Sequence, residues 1–321
     1  MHINQSLAMK KTFSILFAVA CALGALAQSL VSGRVYPERD DDLAWENDKV
    51  AFRAYGPAIQ KRGEKGFGYD LFLKRGTDQP VLEEMYAGQC SGSNWRKMAY
   101  LRSQGLNDQA RAFERSFTYH VDHGHGLDCY AVGPTLGAGV TAIVKDGEIL
   151  YPWCWDTCEI LENGPDRFKA HLTYTPMAVG NDTVIEHRVI TLEKGSHFNR
   201  TEITYEGLTQ PQTIATGIVL RDGAPALANI ERKYICYVDP TQGPDNGKLF
   251  VGAAFEQKPD STDIVYAGGA KEPTYPGHLL AYHTYRPGDT YTYYWGYGWD
   301  RADVPSLDAF IALLNEVATK E

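Results

Sequence analysis

Alternation with a period of two is the pattern that most limits what this chain can become. Residues 45–55 set Val50, Phe52 and Ala54 against Ala51, Arg53 and Tyr55, then stop at Gly56-Pro57. Residues 70–75 alternate again and close at Gly76, and residues 139–144 run into Lys145-Asp146-Gly147, a hairpin signal. Further short runs follow at 169–174, 183–192, 199–205, 214–220, 234–238, 248–255, 279–285 and 290–296. Side chains two apart share one face of a strand, so each run offers an apolar face to a core. Many such strands with frequent turns predict an all-β, antiparallel sandwich or barrel. Helical periodicity is confined to residues 94–104 and 107–117, broken at Gly105, and to residues 306–317. In the last of these, Pro305 precedes a Ser306 cap, and Leu307, Phe310, Leu313, Leu314 and Val317 form one stripe that should pack on the sandwich. No repeat or linker divides residues 28–321, which are expected to form one domain.

Residues 1–27 stand apart. Lys10 and Lys11 precede an apolar run that ends in Ala25-Leu26-Ala27, the form of a cleaved secretory signal peptide. The run is too short to span a bilayer, and nothing after Gln28 is long and apolar enough to do so. An exported, periplasmic protein with no membrane span is expected. The chain carries 31 basic and 40 acidic residues, a formal net charge of −9, which becomes more negative when Lys10 and Lys11 leave. That balance argues against nucleic acid or an anionic membrane as a partner. An anionic ligand would have to be met by locally placed arginine or lysine. Cys90, Cys129, Cys154, Cys158 and Cys236 are an odd set, so at least one thiol is left over. Cys154 and Cys158 could bridge in an oxidising compartment.

Chemistry is concentrated in residues 119–130, Tyr-His-Val-Asp-His-Gly-His-Gly-Leu-Asp-Cys-Tyr, which hold three of the nine histidines. Imidazole titrates near neutral pH, so such a cluster can move protons or bind a metal. Two uses fit the spacing. One histidine could be a general base oriented by Asp122 or Asp128. Alternatively, His123, His125 and Asp128 could ligate a divalent metal. His120 reads as buried and structural. Arg53 sits among apolar neighbours and needs an anionic partner, either Glu46 or a bound carboxylate. Lys74-Arg75 closes the next strand. In residues 282–286, His283 and Tyr285 share a face. Trp295, Tyr297 and Trp299 could form a wall that stacks a sugar, with Gly296 and Gly298 marking a close approach by ligand or backbone. Trp153 and Trp155 alternate and could flank a groove. There is no GxSxG, P-loop, HExxH or strand-following Rossmann glycine motif.

Residues 45–56 and 119–133, Leu136-Gly-Ala-Gly139 and residues 294–299 together resemble an exported family of polysaccharide-utilising Bacteroidetes-type bacteria, catalogued as a domain of unknown function. The resemblance covers nearly all of the chain after the leader. It implies a galactose-mutarotase-like β-supersandwich with a few short helices and a C-terminal helix. One branch is similar to an oligosaccharide dehydratase of ulvan breakdown, which removes water from a non-reducing-end uronic acid and leaves a 4,5-unsaturated sugar. On that resemblance, Arg53 or Arg75 would neutralise the uronate, His123 would take the C5 proton, and Tyr130 or His283 would protonate the leaving hydroxyl. Asp122, His125, Asp128, Trp153, Tyr285, Trp295 and Trp299 would line the sugar. No cofactor is required, with a divalent metal as the alternative. A polysaccharide lyase would use the same chemistry with a sugar as leaving group. A mutarotase or epimerase, or a non-catalytic glycan-binding protein, are the competing readings.

Overall fold

The computed structural model describes residues 29–76, 79–270 and 273–319, and the leader read over residues 1–27 lies outside them. β1 (Ser32–Tyr36), β2 (Asp42–Glu46), β3 (Ala51–Ala54), β4 (Tyr69–Lys74) and β5 (Gly126–Asp128) pair in that order as a first sheet. A second small sheet has the order β17 (Ser261–Val265), β18 (Gly277–Tyr285), β13 (Gln212–Leu220), β6 (Ala138–Lys145) and β7 (Glu148–Leu150). The large sheet runs β14 (Ala226–Asn229), β15 (Tyr234–Asp239), β16 (Leu249–Phe255), β19 (Tyr291–Trp299), β12 (Phe198–Glu206), β11 (Asp182–Glu193), β9 (Arg167–Tyr174) and β8 (Trp155–Asn163), with β10 (Met177–Val179) on β11. Every pairing between these strands is antiparallel. The small sheets meet at a single parallel bridge between Tyr69 and Gly137, and both pack on the large sheet. The expected all-β, antiparallel sandwich is the observed fold.

The layers are joined by aromatic rings. Trp45 stacks on Phe168 at 6.0 Å and Tyr69 on Trp295 at 3.9 Å between ring centroids. Odd-numbered residues of β19 point inward, so Tyr291, Tyr293, Trp295, Tyr297 and Trp299 are all buried in the main core. Trp299 donates to the Asn246 carbonyl at 2.6 Å and Trp295 to Thr201 Oγ1 at 2.8 Å. The expected sugar-stacking wall is therefore the centre of the sandwich. The glycines between these rings mark a close approach by the protein itself. A side chain at Gly296 would strike the His197 carbonyl, and one at Gly298 would strike Val304.

Two expected elements changed. Residues 45–55 are a hairpin, because Asn47 Oδ1 accepts from the Lys49 and Val50 N–H groups at 2.8 and 2.9 Å and turns the chain between β2 and β3. The bridge between Cys154 and Cys158 is not made; all five described cysteines are free. Four residues along an extended strand span about 13 Å, well beyond the Cα separation a disulfide allows. Among the described residues four α-helices precede the C-terminal one: α1 (Pro57–Lys61), α2 (Leu82–Gln89), α3 (Gly92–Ser103) and α4 (Asn107–Arg115). The sequence pattern shows only the last two. α5 (Leu307–Ala318) starts at Ser306, whose Oγ accepts from Ala309 N at 3.2 Å. It lays Phe310 and Leu314 against Phe198 and Phe250 on the outer face of the large sheet. Among the described residues no helix is long and apolar enough to cross a membrane.

Candidate active site

The first sheet buries charge on one face and apolar side chains on the other. Leu43, Trp45, Phe52, Leu71 and Leu73 join the main core. By alternation, Asp42, Glu46, Arg53, Asp70, Lys74 and Asp128 take the opposite face, and all six are buried. α2 and Tyr119 cover that face with an apolar lid that includes Leu82, Met85 and Tyr86. The charges below it sort into two groups. Lys74 Nζ pairs with Glu46 at 2.5 Å, and Glu46 accepts from the N–H groups of Val81 and Leu82, which anchors the start of α2.

The second group surrounds Arg53. Its guanidinium donates to Asp70 and, at 3.0 Å, to Asp128, and lies 3.7 Å from Asp42. Its partners differ from the Glu46 expected from sequence because register places Asp70 directly opposite Arg53, while Lys74 claims Glu46. Tyr55 donates to Asp70 at 2.6 Å. Tyr119 OH accepts from Arg53 at 3.3 Å and from Arg39 at 3.4 Å. Arg39 in turn pairs with Asp40 at 2.8 Å, so four carboxylates face two guanidiniums. Burial, the largest influence, pushes Asp42 and Asp128 up to about 6, with Arg53 opposing it in both. For Asp128 the neighbouring Asp70 adds to the rise. A carboxyl that titrates near 6 can exchange protons at the pH where a histidine does.

Arg53, Tyr55 and Asp128 of this cluster line a pocket of about 250 Å³ whose walls also include Arg39, Tyr119, His120, Tyr130 and Gln242. His120 is not buried as expected, since half its side chain is exposed. Its Nδ1 lies 2.9 Å from the Asp128 carbonyl oxygen, which can only accept, so in the neutral ring Nδ1 carries the proton and Nε2 the lone pair. The Tyr130 hydroxyl is buried without a hydrogen-bond partner among the described residues. Past Ala131–Gly133, the chain at Pro134 and Thr135 enters a second cleft of about 540 Å³ between Tyr151 and Tyr266. A larger cleft of about 870 Å³ lies beside α5, but its charges include the surface ion pair Arg200–Glu256 and it has no histidine in its walls.

Of the residues given a site role from sequence, Arg53, Asp128 and Tyr130 meet in this pocket, and the rest do not; His120, read as structural, joins them. His123 lies on the exposed loop with Nε2 3.1 Å from the Thr118 carbonyl, outside the pocket walls. Asp122 organises that loop, accepting from Gly124 and Gly126 N–H groups and pairing with Arg75 at 2.6 Å. Arg75 also lies over the Trp299 ring. The trio His123, His125 and Asp128 does not converge, because Asp128 turns inward to Arg53 while the histidines stay on the loop. Among the described residues no three His, Cys, Asp or Glu side chains are gathered to hold a metal. His283 is buried between Phe255 and Tyr291, and burial lowers its pKa to about 4. Tyr285 is core, accepting from Tyr205 N. Trp153 is 45% exposed and packs edge-on to Phe67 at 5.5 Å, while Trp155 is buried. Sequence reasoning missed Arg39, Tyr55 and Tyr119 as pocket groups, and Asp70 as the partner of Arg53. For Asp70 the available signal was charge at alternate positions of a strand whose other positions are apolar; Arg39, Tyr55 and Tyr119 lie outside the strands and carried no such signal.

Fold and pocket together define an antiparallel β-sandwich with a small pocket of titratable side chains on the charged face of a sheet. The chain belongs to the family described as a domain of unknown function, DUF4861, which matches residues 25–320. It is 30% identical over 212 residues to uncharacterized protein P7 of Formosa agariphila, a stretch covering 64% of this chain and 47% of that protein. The chain therefore spans about half the length of this curated relative. A candidate kojibiose phosphorylase from the human microbiome superposes over 56% of this chain and 25% of its own, with a TM-score of 0.37 and 12% identity. A GH36 α-galactosidase of Geobacillus stearothermophilus in complex with raffinose covers 80% of this chain and 40% of its own, with a TM-score of 0.34 and 9% identity. At that distance their activities are not carried over.

Proposed function

We propose that this protein is an exported carbohydrate-active lyase that eliminates water across C4 and C5 of a terminal uronic acid on an oligosaccharide. The observation that carries the reading is the convergence of an exposed imidazole, a carboxyl titrating near 6, two buried phenols and two guanidiniums in one small pocket. The resemblance of residues 119–133 to the dehydratase-bearing family adds to it.

Eliminating the C4 hydroxyl requires removal of the C5 proton, alpha to a carboxylate, and protonation of the departing oxygen. Arg39, at the pocket wall and less enclosed by acids than Arg53, binds the uronate and stabilises the enolate-like charge. His120 Nε2, with its lone pair fixed outward, takes the C5 proton, the role that the resemblance had given to His123. Tyr119 accepts two guanidinium hydrogen bonds, so its own O–H is directed elsewhere and delivers the proton to the leaving hydroxyl. The C5–H and C4–O bonds break, the C4=C5 bond forms and one water leaves, with no oxidant or reductant involved. Arg53 holds Asp70 and Asp128 in place and is a positioning residue. The pocket is smaller than the roughly 300–1,000 Å³ of sites for drug-sized ligands. It suits one terminal sugar better than a threaded polymer, which favours a dehydratase over a chain-cleaving lyase. The adjoining cleft between Tyr151 and Tyr266 gives the remaining sugars a place to lie.

The test is ultraviolet absorbance of the unsaturated uronate, read with mass spectrometry, on a panel of acidic oligosaccharides mixed with the protein. Rising absorbance with loss of one water supports a dehydratase, and rising absorbance with shortened chains supports a lyase. No change across the panel overturns the reading in favour of an epimerase or a glycan-binding protein.

A further inference from the structure

We propose that His171 and His187 form a two-imidazole site for a divalent transition-metal ion of the Cu²⁺, Ni²⁺ or Zn²⁺ class, on the open half of the large sheet's outer face. The site is separate from the pocket and does not depend on its function. β9 and β11 are neighbours, with His171 opposite Val189 and His187 opposite Thr173, so the two histidines sit diagonally. Ala170 and Leu172 on β9, and Glu186 and Arg188 on β11, are buried, and alternation turns both imidazoles outward. α5 covers the part of this face over Phe198, Phe250 and Ala254 and leaves the histidines reachable, His187 with 26% of its side chain exposed.

The geometry suits chelation. His171 Nε2 and His187 Nδ1 are 3.2 Å apart, with ring planes inclined by 24°. Two nitrogens each about 2.05 Å from one metal, subtending about 100°, are separated by about that distance. The far nitrogen of His187, Nε2, lies 3.4 Å from Glu206 Oε2. A carboxylate there holds the proton on Nε2 and leaves the Nδ1 lone pair facing His171, the arrangement that orients metal-ligating histidines. Thr173 Oγ1, 3.5 Å from the same Nδ1, adds an oxygen beside the pair. Glu159 stands directly opposite His171 on β8 and is exposed. With Glu206 it makes the surroundings anionic and favourable to a cation. Strands β9 and β11 thus supply the two imidazoles, with Thr173 of β9 beside them, and β8 and β12 flank them with one carboxylate each. Imidazole ligands select copper, nickel and zinc over magnesium and calcium.

The experiment uses protein without an affinity tag, freed of metal with a chelator and titrated with copper, nickel or zinc chloride by calorimetry and by thermal melting. One saturable site is expected, tightest for copper, together with a metal-dependent rise in Tm. The double variant H171Q/H187N should keep its metal-free Tm and lose both signals. Glu206→Gln should weaken binding by about 10-fold. Saturable binding of the same strength in the double variant overturns the proposal. So does wild-type protein whose Tm and heats do not respond to any of the three ions, which would leave the pair as an ordinary imidazole–imidazole hydrogen bond.

Discussion

At the scale of single residues, the site depends on which imidazole faces the pocket. His120 has its proton fixed on Nδ1 by the Asp128 carbonyl and half its ring exposed at the pocket wall, whereas His123 is turned to Thr118. His120→Ala should therefore reduce turnover by about 10²–10⁴-fold, the usual contribution of a general base, while His123→Ala should keep most of it. Initial rates on an active uronate substrate check this, and the opposite order would return the base role to His123. Asp239 supports a second prediction. It sits buried near Tyr130, with Oδ1 accepting from Thr241 N and Oδ2 without a partner among the described residues. Burial raises it from 3.8 to about 6. Between pH 4 and 6 the native state keeps a proton that the unfolded chain has released, so rising pH through this window lowers stability, fully so above 6. Asp239→Asn retains the Oδ1 acceptor and removes the buried charge. Its Tm should exceed that of wild type at pH 8, with the gain shrinking below pH 5. An equal offset at both values would show that the charge is not the cause.

At the scale of elements, the strands were legible and their partners were not. Period-two alternation located β4, β6, β9, β11, β12, β13, β15, β16, β18 and β19, because half-buried strands carry their burial pattern locally. It also put Arg53 among the apolar neighbours of a strand, whereas Asp128 reads only as part of the His-rich segment, without its place in β5. It could not reveal that Arg53 would face Asp70, since that follows from the β3–β4 register. α2 escaped notice for a related reason. Its first N–H groups are satisfied by Glu46, 35 and 36 residues upstream, so no local cap announces its start. The aromatic positions of β19 did alternate as read, but alternation does not say which face is wet. The Glu46–Lys74 pair ties these elements together. Lys74→Met should leave Glu46 as a buried, unpaired carboxylate and lower stability by about 3–5 kcal/mol. Adding Glu46→Gln should recover part of that loss, because an amide oxygen can still accept from Val81 and Leu82. Denaturant melts of the single and double variants measure both steps. A double variant less stable than Lys74→Met would mean that the carboxylate's charge at the α2 start matters more than its burial.

At the scale of the whole molecule, three clusters of buried side chains divide the labour. The main core lies between the sheets, a second lies under α2, and a third lies between α5 and the outer face of the large sheet. The pocket is built on the first two. Its walls come from the β1–β2 connection, the first sheet, residues 119–133 and Gln242, none of which belongs to the α5 cluster. α5 should therefore contribute stability without setting the chemistry. Phe310 is the place to test this, since it is fully buried against Phe198 and Phe250 and its ring lies over Gly252, where even a Cβ would collide. Phe310→Ala opens a cavity there, and such changes remove about 3–5 kcal/mol. At about 2–4 °C per kcal/mol for chains of 150–250 residues, the melting temperature should fall by on the order of 10 °C. The pH dependence of turnover, to which the raised Asp128 contributes, should stay where it is when assayed well below the new Tm. If the pH profile moves with the melting temperature, the α5 cluster and the pocket are mechanically coupled through β16 and β19, and the sandwich acts as one unit. If only the melting temperature moves, the charged face of the first sheet holds its geometry from its own ion pairs and the lid above them.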